Sequence, residues 1–410
     1  MTKFTVRRGL LTVAAVMLCT QPAGAADQWL SHAQLIDGLG NSKVRAVNLR
    51  ISEGHIAEIT PAADRPGAID LRDAYLMPGF IDAHSHIEDP DSARRALQSG
   101  VTTARVLGDA YLKGMATRDL IRGGHVPGPE MLVSGGHVRP RLGEPFILSF
   151  PQFGQYLEAP LTGADNVAAV VRAVIARGAD VIKVGASERA GLANTDPRRQ
   201  ELSYEELRAA VQEATKAHLF VAAHAHDRHG ANAAVRAGVR SIEHGTYLDE
   251  QTLALMKKQG TFFVPTLAIM SHMSDPKGNS AADVLLQIRT EQMMKPLRDA
   301  VRRARALGVT VAAGTDGTYG DGDDTARVRP GDEIAQLVAC GYTPLEAIEA
   351  ATHASARVLG IDDRTGSIAV GLEADILVID RDPRTDLTTL LEPMLVMNNG
   401  TIVLDRISLR

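Results

Sequence analysis

The 410-residue chain has little cysteine and few aromatic residues, and neither sign of charge dominates it. It contains two cysteines, and only 4% of its residues are aromatic. The formal net charge of −5 gives no basic field of the kind that nucleic-acid surfaces carry, so we expect no nucleic-acid partner. Apolar residues make up 45% and charged residues 23% of the chain, which excludes a disordered protein and leaves enough material for a sizeable core.

The first 25 residues carry a basic start, an apolar run and a small-residue end. Basic residues between positions 3 and 8 precede the run Gly9–Cys19, and Ala23-Gly24-Ala25 offers a cleavage site. This pattern predicts a secretory signal peptide over residues 1–25, cleaved near Ala25, and the run is too short for a membrane span. No later run reaches membrane length. We therefore expect a periplasmic or secreted protein whose remaining cysteine, Cys340, has no partner for an internal disulfide.

Beyond residue 75, short apolar or β-branched runs alternate with stretches of helical periodicity. The predicted strands are Gly79–His84, Val101–Leu107, Met131–Gly135, Asp180–Val184, Phe220–His226, Ser241–His244, Thr261–Thr266 and Val309–Thr315. The clearest helical patterns are Asn166–Arg177, Tyr204–Ala217, Asp249–Gln259 and Ala281–Leu307. Eight strands alternating with helices predict an α/β fold in which a parallel sheet closes into a (β/α)8 TIM-like barrel.

The two flanks of this region lack helical periodicity. Short predicted strands with turns occupy both of them, at Gln34–Asp37, Ala46–Ser52 and His55–Thr60, and at Gly366–Ala369, Ala374–Asp380, Met394–Asn398 and Thr401–Leu404. Neither flank is long enough to bury a core alone. We therefore predict one composite β-sandwich domain from residues 26–76 and 361–410, beside a barrel over residues 77–360.

Ligand-capable side chains stand where several predicted strands end. The first strand ends in His84-Ser85-His86, the fourth contains Lys183, the fifth ends in His224-Ala225-His226, the sixth ends in His244, and Asp316 follows the eighth. Residues two apart on a strand share a face, so each histidine pair should point the same way. Active sites of such barrels lie at the carboxyl ends of the strands, and the set together indicates a metal site. Any one of these histidines alone could equally be a core or surface residue.

Two segments carry a family resemblance. Residues Met77–His86, which read MPGFIDAHSH, resemble the opening strand signature of the amidohydrolase superfamily, and Gly366–Asp375 resembles its return into a small β-domain. Within the superfamily, Val221–His226, Ser241–Tyr247 and Gly314–Asp316 are most similar to the imidazolonepropionase-related branch. That branch includes metal-dependent Xaa-Pro dipeptidases, dipeptide carboxypeptidases and related amidases. The resemblance spans essentially the whole chain after the predicted signal peptide.

Lys183 decides which metal arrangement the resemblance implies. An ammonium inside an apolar strand is costly unless it is paired or neutralised, and it has no lone pair for a metal. The resemblance implies that CO2 adds to this amine as a carbamate that bridges two cations. The other implied ligands are His84, His86 and Asp316 for the first ion and His224 and His244 for the second. From the residues alone, a Lys183 paired with an acidic neighbour is the alternative.

The same resemblance implies hydrolytic chemistry. Two divalent ions lower the pKa of a shared water towards ~7 and polarise a carbonyl oxygen. Asp316 would take a proton from the metal-bridging hydroxide and pass it to the departing nitrogen, as general base and then acid. Zinc suits imidazole, carboxylate and carbamate ligands, and Mn²⁺ or Co²⁺ could replace it.

Fewer residues bear on substrate binding. Resemblance to the dipeptidases implies that Tyr247 and His137 contact the substrate's terminal carboxylate and scissile carbonyl, although each could be a rim residue only. Arg139 could clamp a carboxylate or be a solvated surface charge. The local match favours His224 over His226 as the ligand, which leaves His226 to contact substrate, to support the ligands from behind, or to be solvated.

We therefore expect a binuclear metal-dependent amidohydrolase that cleaves the amide bond of dipeptides or N-acyl amino acids, as Xaa-Pro dipeptidases and carboxypeptidases do. Three alternatives stay open. They are an amidase acting on xenobiotic amino-acid amides such as ochratoxin A, a lactonase or cyclic-amide hydrolase, and an exported binding protein without catalysis. The expected partner is a small-molecule or dipeptide-like substrate, and the branch resemblance suggests a homo-oligomer.

Overall fold

The computed structural model describes residues 27–41, 43–192, 194–274, 280–321 and 327–407. The predicted signal peptide, including Cys19 and the cleavage site near Ala25, lies outside these residues. Among the residues described, no helix has both the length and the apolar character that a membrane crossing requires. Cys340 is buried and forms no disulfide within the described residues.

Strands and helices alternate through the middle of the chain, so the fold is α/β. The strands are β1 (Gln28–Leu35), β2 (Arg45–Ser52), β3 (His55–Pro61), β4 (Ile69–Asp70), β5 (Tyr75–Pro78), β6 (Phe80–Ser85), β7 (Val101–Val106), β8 (Glu130–Val133), β9 (His137–Val138), β10 (Ile182–Gly185), β11 (Val221–Ala225), β12 (Ser241–His244), β13 (Phe262–Val264), β14 (Ile376–Ile379), β15 (Leu395–Asn398) and β16 (Thr401–Asp405).

Helices follow most of the central strands. They are α1 (Pro90–Gln98), α2 (Lys113–Arg122), α3 (Glu144–Ser149), α4 (Ala164–Ala176), α5 (Tyr204–Lys216), α6 (Arg228–Ala237), α7 (Glu250–Gln259), α8 (Leu267–Met273), α9 (Ala281–Leu307), α10 (Pro330–Ala339), α11 (Pro344–Ala350) and α12 (His353–Leu359). The four clearest helical patterns are confirmed as α4, α5, α7 and α9. Side chains of Ser203, Asp249 and Ser280 cap the amino ends of α5, α7 and α9, which explains why the periodicity starts there.

The central strands form two parallel sheets. One contains β6, β7 and β8, and the other runs in the order β13-β12-β11-β10-β9. Every residue of β6, β7, β10, β11 and β12 is buried, as expected where helices cover a parallel sheet. Because neighbouring strands are parallel, their carboxyl ends meet at one edge, where the candidate ligands lie.

Two of the predicted central strands differ from the observed elements. Val309–Thr315 is an extended segment without a strand of its own, although Val311 bridges Phe263 of β13 and the Ala83 N–H of β6 donates to Ala313 O. It therefore lies between the two parallel sheets. Predicted strand Met131–Gly135 ends at Val133, because Gly135 and Gly136 turn the chain with φ of 63° and 152° before β9 begins.

Strands from both flanks join in one mixed sheet, with the order β16-β15-β14-β5-β1-β2-β3 and β4 beside β1. At its centre β5 and β14, from opposite ends of the chain, pair antiparallel with Leu377 opposite Met77. The predicted strand Gln34–Asp37 is the end of the longer β1. Gly366–Ala369 forms no strand, since only Ile368 N–H reaches a neighbouring backbone there, at Asp37 O. The two-layer sandwich and the domain boundaries stay predictions.

Candidate metal and active site

The carboxyl ends of the central strands surround one cavity of about 310 Å³, which we call the central cavity. Its lining includes all of the predicted metal ligands together with two of the predicted substrate contacts, namely His84, His86, Lys183, His224, His244 and Asp316, and His137 and His226. The expected shared faces are confirmed, since both histidine pairs line this same space. The ring centroids of His84 and His86 are 5.6 Å apart.

His84 is held from behind by a buried charge network. Its Nδ1 lies 2.8 Å from Glu243 Oε2, and Glu243 Oε1 accepts from Arg105 Nη2 at 2.9 Å and from the Ser241 hydroxyl. Burial alone would raise the pKa of Glu243, but Arg105 and His84 lower it to about 2. With Nδ1 donating to this carboxylate, His84 turns an unprotonated Nε2 towards the cavity.

Asp316 lies at the opposite side of His84. Its Oδ1 is 2.7 Å from His86 Nε2 and 3.4 Å from His84 Nε2. Burial opposes its ionisation, yet the neighbouring imidazoles lower the pKa of Asp316 well below its ordinary value. Its backbone is left-handed, with φ of 54°, and its N–H donates to His84 O at 2.7 Å. Such a strained conformation in a residue other than glycine is typical of functional sites.

His224, His226 and His244 form a second group on β11 and β12. Their nitrogen atoms lie close enough together for one ion, and His244 also belongs to a group with His84 and Asp316. His226 Nδ1 contacts Thr246 Oγ1 at 2.9 Å, and His244 Nδ1 contacts Thr266 Oγ1 at 2.8 Å. The ring centroids of His224 and His226 lie 4.5 and 4.8 Å from that of His244. Distance therefore does not separate the two as ligands.

Lys183 is buried on β10 without an acidic partner. Its Nζ lies 3.5 Å from His84 Nε2, and within the described residues no carboxylate oxygen lies within 4.0 Å of it. Burial lowers the pKa of Lys183 to about 8, although Glu243 and Asp316 favour the ammonium. The neutral amine is therefore accessible near neutral pH. The alternative of a lysine paired with an acidic neighbour finds no support in these distances.

The predicted substrate contacts are placed differently from one another. His137 lies in β9, directly opposite Lys183 in the parallel register, and its buried Nε2 has no hydrogen-bond partner. Arg139 is buried and pairs with Glu201 at 2.5 Å, outside the lining of the central cavity. Tyr247 is half-buried and lines a different depression of the surface rather than the central cavity. Its backbone N–H donates to His226 O at 2.8 Å.

Comparison with known proteins decides the family. Residues 75–403 match the amidohydrolase family, which is most of the chain. The chain belongs to the amidohydrolase family. As a member it is a hydrolase of amide bonds, and its α/β fold is of the TIM-barrel class.

Individual known proteins are similar to this amidohydrolase over most of its length. Ochratoxinase of Aspergillus niger is 31% identical over 408 residues, which cover 88% of this chain and 83% of the relative. Imidazolonepropionase of Stenotrophomonas maltophilia is 26% identical over 401 residues, covering 87% and 91%. The crystal structure of a Xaa-Pro dipeptidase with bound methionine in its active site has a TM-score of 0.82 and 27% identity, covering 92% and 99%. The amidohydrolase is therefore of the Xaa-Pro dipeptidase and ochratoxinase kind.

The residues of the central cavity fit divalent metal ions. Desolvation lowers the pKa of His84 to about 4 and of His226 to about 3, and it lowers that of His224 and His244 well below the ordinary value. Neutral imidazoles offer lone pairs, and binding one ring nitrogen to a carboxylate or hydroxyl fixes which nitrogen faces the ion. The chain provides this support for His84, His226 and His244.

Three residues that support the site have no role in the sequence prediction. Glu243 and Arg105 hold His84, and Asp82 accepts hydrogen bonds from Thr315 Oγ1 at 2.6 Å and Tyr319 Oη at 2.7 Å. Asp82 thereby fixes the segment that leads into Asp316. A signal was present for all three, because each is a charged residue inside a predicted central strand and must find a partner when buried.

Proposed function

We propose that this amidohydrolase is a binuclear metal enzyme that hydrolyses the amide bond of dipeptides or N-acyl amino acids. The environment of Lys183 carries the proposal. It is a buried amine, 3.5 Å from His84 Nε2, with no acidic partner among the described residues and with Asp316 lining the same cavity. An ammonium there forms no direct ion pair with a carboxylate of the described residues, whereas a carbamate adds an anionic ligand to the set.

The ligand assignment follows the family resemblance, and all six residues line the central cavity. His84, His86 and Asp316 would hold one ion, His224 and His244 the other, and the Lys183 carbamate would be shared. Bound ions would supply an activated water and a polarised carbonyl group. Zinc suits this donor set, with Mn²⁺ or Co²⁺ as substitutes. His226 would then contact the substrate or support the ligands.

Asp316 moves the proton in the proposed reaction. Its carboxylate, ionised because of the surrounding imidazoles, accepts the proton of the attacking water and delivers it to the departing nitrogen. The contact with His86 at 2.7 Å orients this carboxylate, and its backbone bond to His84 O fixes its position at the strand end. His137, also in the cavity, is available to the scissile carbonyl.

Metal analysis tests the proposal. Protein treated with zinc and bicarbonate should hold about two ions per chain, and Lys183→Met should lose most of this metal while keeping its secondary structure. Lys216→Met, at a solvent-exposed lysine of α5, is the matched control and should bind metal as the wild type does. A wild-type protein that holds one ion or none with undiminished turnover would contradict the binuclear site.

The substrate is tested by a hydrolysis screen over a dipeptide library, read by the released amino acid. Ochratoxin A belongs in the same screen, because similarity to the Aspergillus niger ochratoxinase favours an amidase of this kind as the second candidate. Lactones and cyclic amides test the third. Family membership opposes the non-catalytic binding protein, which would require that the whole panel give no turnover with metal bound.

We also propose the architecture and location that the sequence predicts. Backbone bonds from Val309–Thr315 to both parallel sheets support a closed (β/α)8 barrel over residues 77–360. The shared sheet of both flanks supports a composite β-domain from residues 26–76 and 361–410. A periplasmic or secreted location rests on residues 1–25 and is tested by fractionation and amino-terminal sequencing. A homo-oligomer is tested by light scattering.

A further inference from the structure

A second cavity of about 380 Å³ opens beside the central cavity, and we call it the side chamber. The two cavities share Gly108, His137 and Arg189 in their linings, and Tyr111 and Phe146 line the side chamber alone. Because three residues border both spaces, the side chamber lies next to the cavity of the candidate metal ligands.

The charge of the side chamber is mostly positive. Arg139, Arg141 and Arg189 line it, with Asp109 as the carboxylate. Asp109 Oδ2 accepts the Gly114 N–H at 3.0 Å, whereas its Oδ1 has no hydrogen-bond partner among the described residues. An anion entering the chamber therefore meets more positive than negative charge.

Arg189 is an arginine that lines both cavities. It is partly buried, and among the described residues no carboxylate oxygen lies within 4.0 Å of its guanidinium. The acids nearest along the chain are occupied, since Glu188 pairs with Arg199 and Glu201 pairs with Arg139. Arg189 Nη2 lies 3.5 Å from His137 Nδ1. A guanidinium removed from water normally binds a carboxylate or phosphate, so an external anion is the missing partner.

Unpartnered polar atoms gather at the same place. His137 Nε2, Arg139 Nε and Asp109 Oδ1 are buried in the linings of this chamber without a hydrogen-bond partner. Buried polar groups are nearly always satisfied, so each such atom requires an explanation. A ligand that donates and accepts hydrogen bonds in the side chamber provides one.

Part of the wall of the side chamber is apolar. Phe146 and Leu142 are buried there, and Tyr111 is 48% exposed at its edge. Such a wall binds an apolar or aromatic body by removing it from water. The chamber thus combines an arginine guanidinium with an apolar surface against which an aromatic ring can pack.

We propose that the side chamber is a binding subsite for a substrate group that joins a carboxylate to an apolar or aromatic body, with Arg189 as the residue that binds the carboxylate. This inference rests on the proposed amide hydrolysis in the central cavity and assigns its specificity. The carboxylate belongs either to the released amino acid or to the acyl part of the substrate. A bidentate contact between guanidinium and carboxylate explains why arginine, rather than lysine, stands at this position.

Three amides that share a phenylethyl body test the inference with the zinc-loaded full-length mature enzyme. N-acetyl-phenylalanine carries the carboxylate on the released amino acid, N-succinyl-phenethylamine carries it on the acyl side, and N-acetyl-phenethylamine carries none. Arg189→Gln should lower kcat/KM about 10- to 100-fold for one of the charged amides and change the neutral amide less than about threefold. The kcat/KM of Arg189→Lys for that charged amide should lie between those of the wild type and Arg189→Gln. Arg302→Gln, at a solvent-exposed arginine of α9, is the control.

Equal losses on charged and neutral amides, or no loss on either, would overturn the inference. So would a selective loss in Tyr247→Phe in place of Arg189→Gln, which would assign the carboxylate to Tyr247. Calorimetric binding of 3-phenylpropanoate separates this inference from the proposed function. If no amide is hydrolysed but Arg189→Gln weakens binding of this anion at least tenfold, the subsite stands and the proposed hydrolysis fails. If amides are hydrolysed and binding is unchanged, the subsite fails alone.

Discussion

Replacing Glu243 by glutamine tests the buried network that holds His84. Glu243 is fully buried and contacts both His84 and Arg105, and Arg105 is 1% exposed. Breaking a buried ion pair by removing one partner costs about 3–5 kcal/mol, because the other charge stays uncompensated. The fall of the Glu243 pKa from 4.5 to about 2 corresponds to on the order of 3 kcal/mol, in agreement with that range.

Urea unfolding of Glu243→Gln at pH 7 should therefore show a free energy of unfolding about 3–5 kcal/mol below wild type. The Glu243 contribution is fully present above pH 4.5 and is lost as the pH falls towards 2, so the two proteins should converge in acid. Glu392→Gln is the matched control, since Glu392 is 76% exposed in its pair with Arg406 and should cost less than about 1 kcal/mol. Equal, small losses in both variants would refute the argument that this network is a compensated buried charge.

Three further substitutions probe the site and its support. Asp316→Asn should keep the wild-type circular dichroism spectrum but lower kcat at least about 10²-fold, and a kcat within tenfold of wild type would contradict its role as the base. Thr315→Val removes the hydroxyl that binds Asp82 and should lower the free energy of unfolding by about 1–3 kcal/mol, measured in urea, whereas an unchanged value would exclude a structural role for this bond. Burial raises the pKa of Glu333 from 4.5 to about 8, so the stabilising effect of the protonated side chain is complete below pH 4.5 and is lost as the pH rises to 8. The Tm of Glu333→Gln should therefore fall less between these two pH values than the Tm of the wild type. An identical fall in both proteins would refute this role of Glu333.

Periodicity predicted the elements whose local signals agree with their packing. The helices α4, α5, α7 and α9 have an apolar face and clear ends, so their bounds could be placed within two residues. Val309–Thr315 was harder, because its apolar run predicts a strand but its neighbours on both sides supply only isolated backbone bonds. Whether this segment pairs as a strand depends on the distance between the two parallel sheets beside it, and no local sequence pattern encodes that distance. The same holds for β14, whose partner β5 lies some 300 residues earlier in the chain.

The candidate ligands could be predicted because each stands at a strand end, and the fold brings strand ends together. His84, His224 and His244 meet in the central cavity for this reason alone. Tyr247 was expected at the substrate from local resemblance and Arg139 because of its charge, but a side chain on a loop can turn either way. The structure turns Arg139 to Glu201 and leaves Tyr247 outside the central cavity.

The charged residues inside the central strands share one sequence signal, which is a charge at a position predicted to be buried. In the part of the chain that the structure describes, some of these charges form ion pairs and others do not. Arg105 and Glu243 form an ion pair across 138 residues of chain, whereas no carboxylate oxygen of the described residues lies within 4.0 Å of Lys183 Nζ. The sequence shows that each charge needs compensation, since burial without a partner is costly in every case. Only the arrangement in space shows which charges compensate one another and which one awaits a partner from outside the chain. Lys183 in the central cavity belongs to the second class, and so does Arg189 in the side chamber, although Arg189 lies on a loop. We therefore expect a cofactor or a substrate to bind at these two positions.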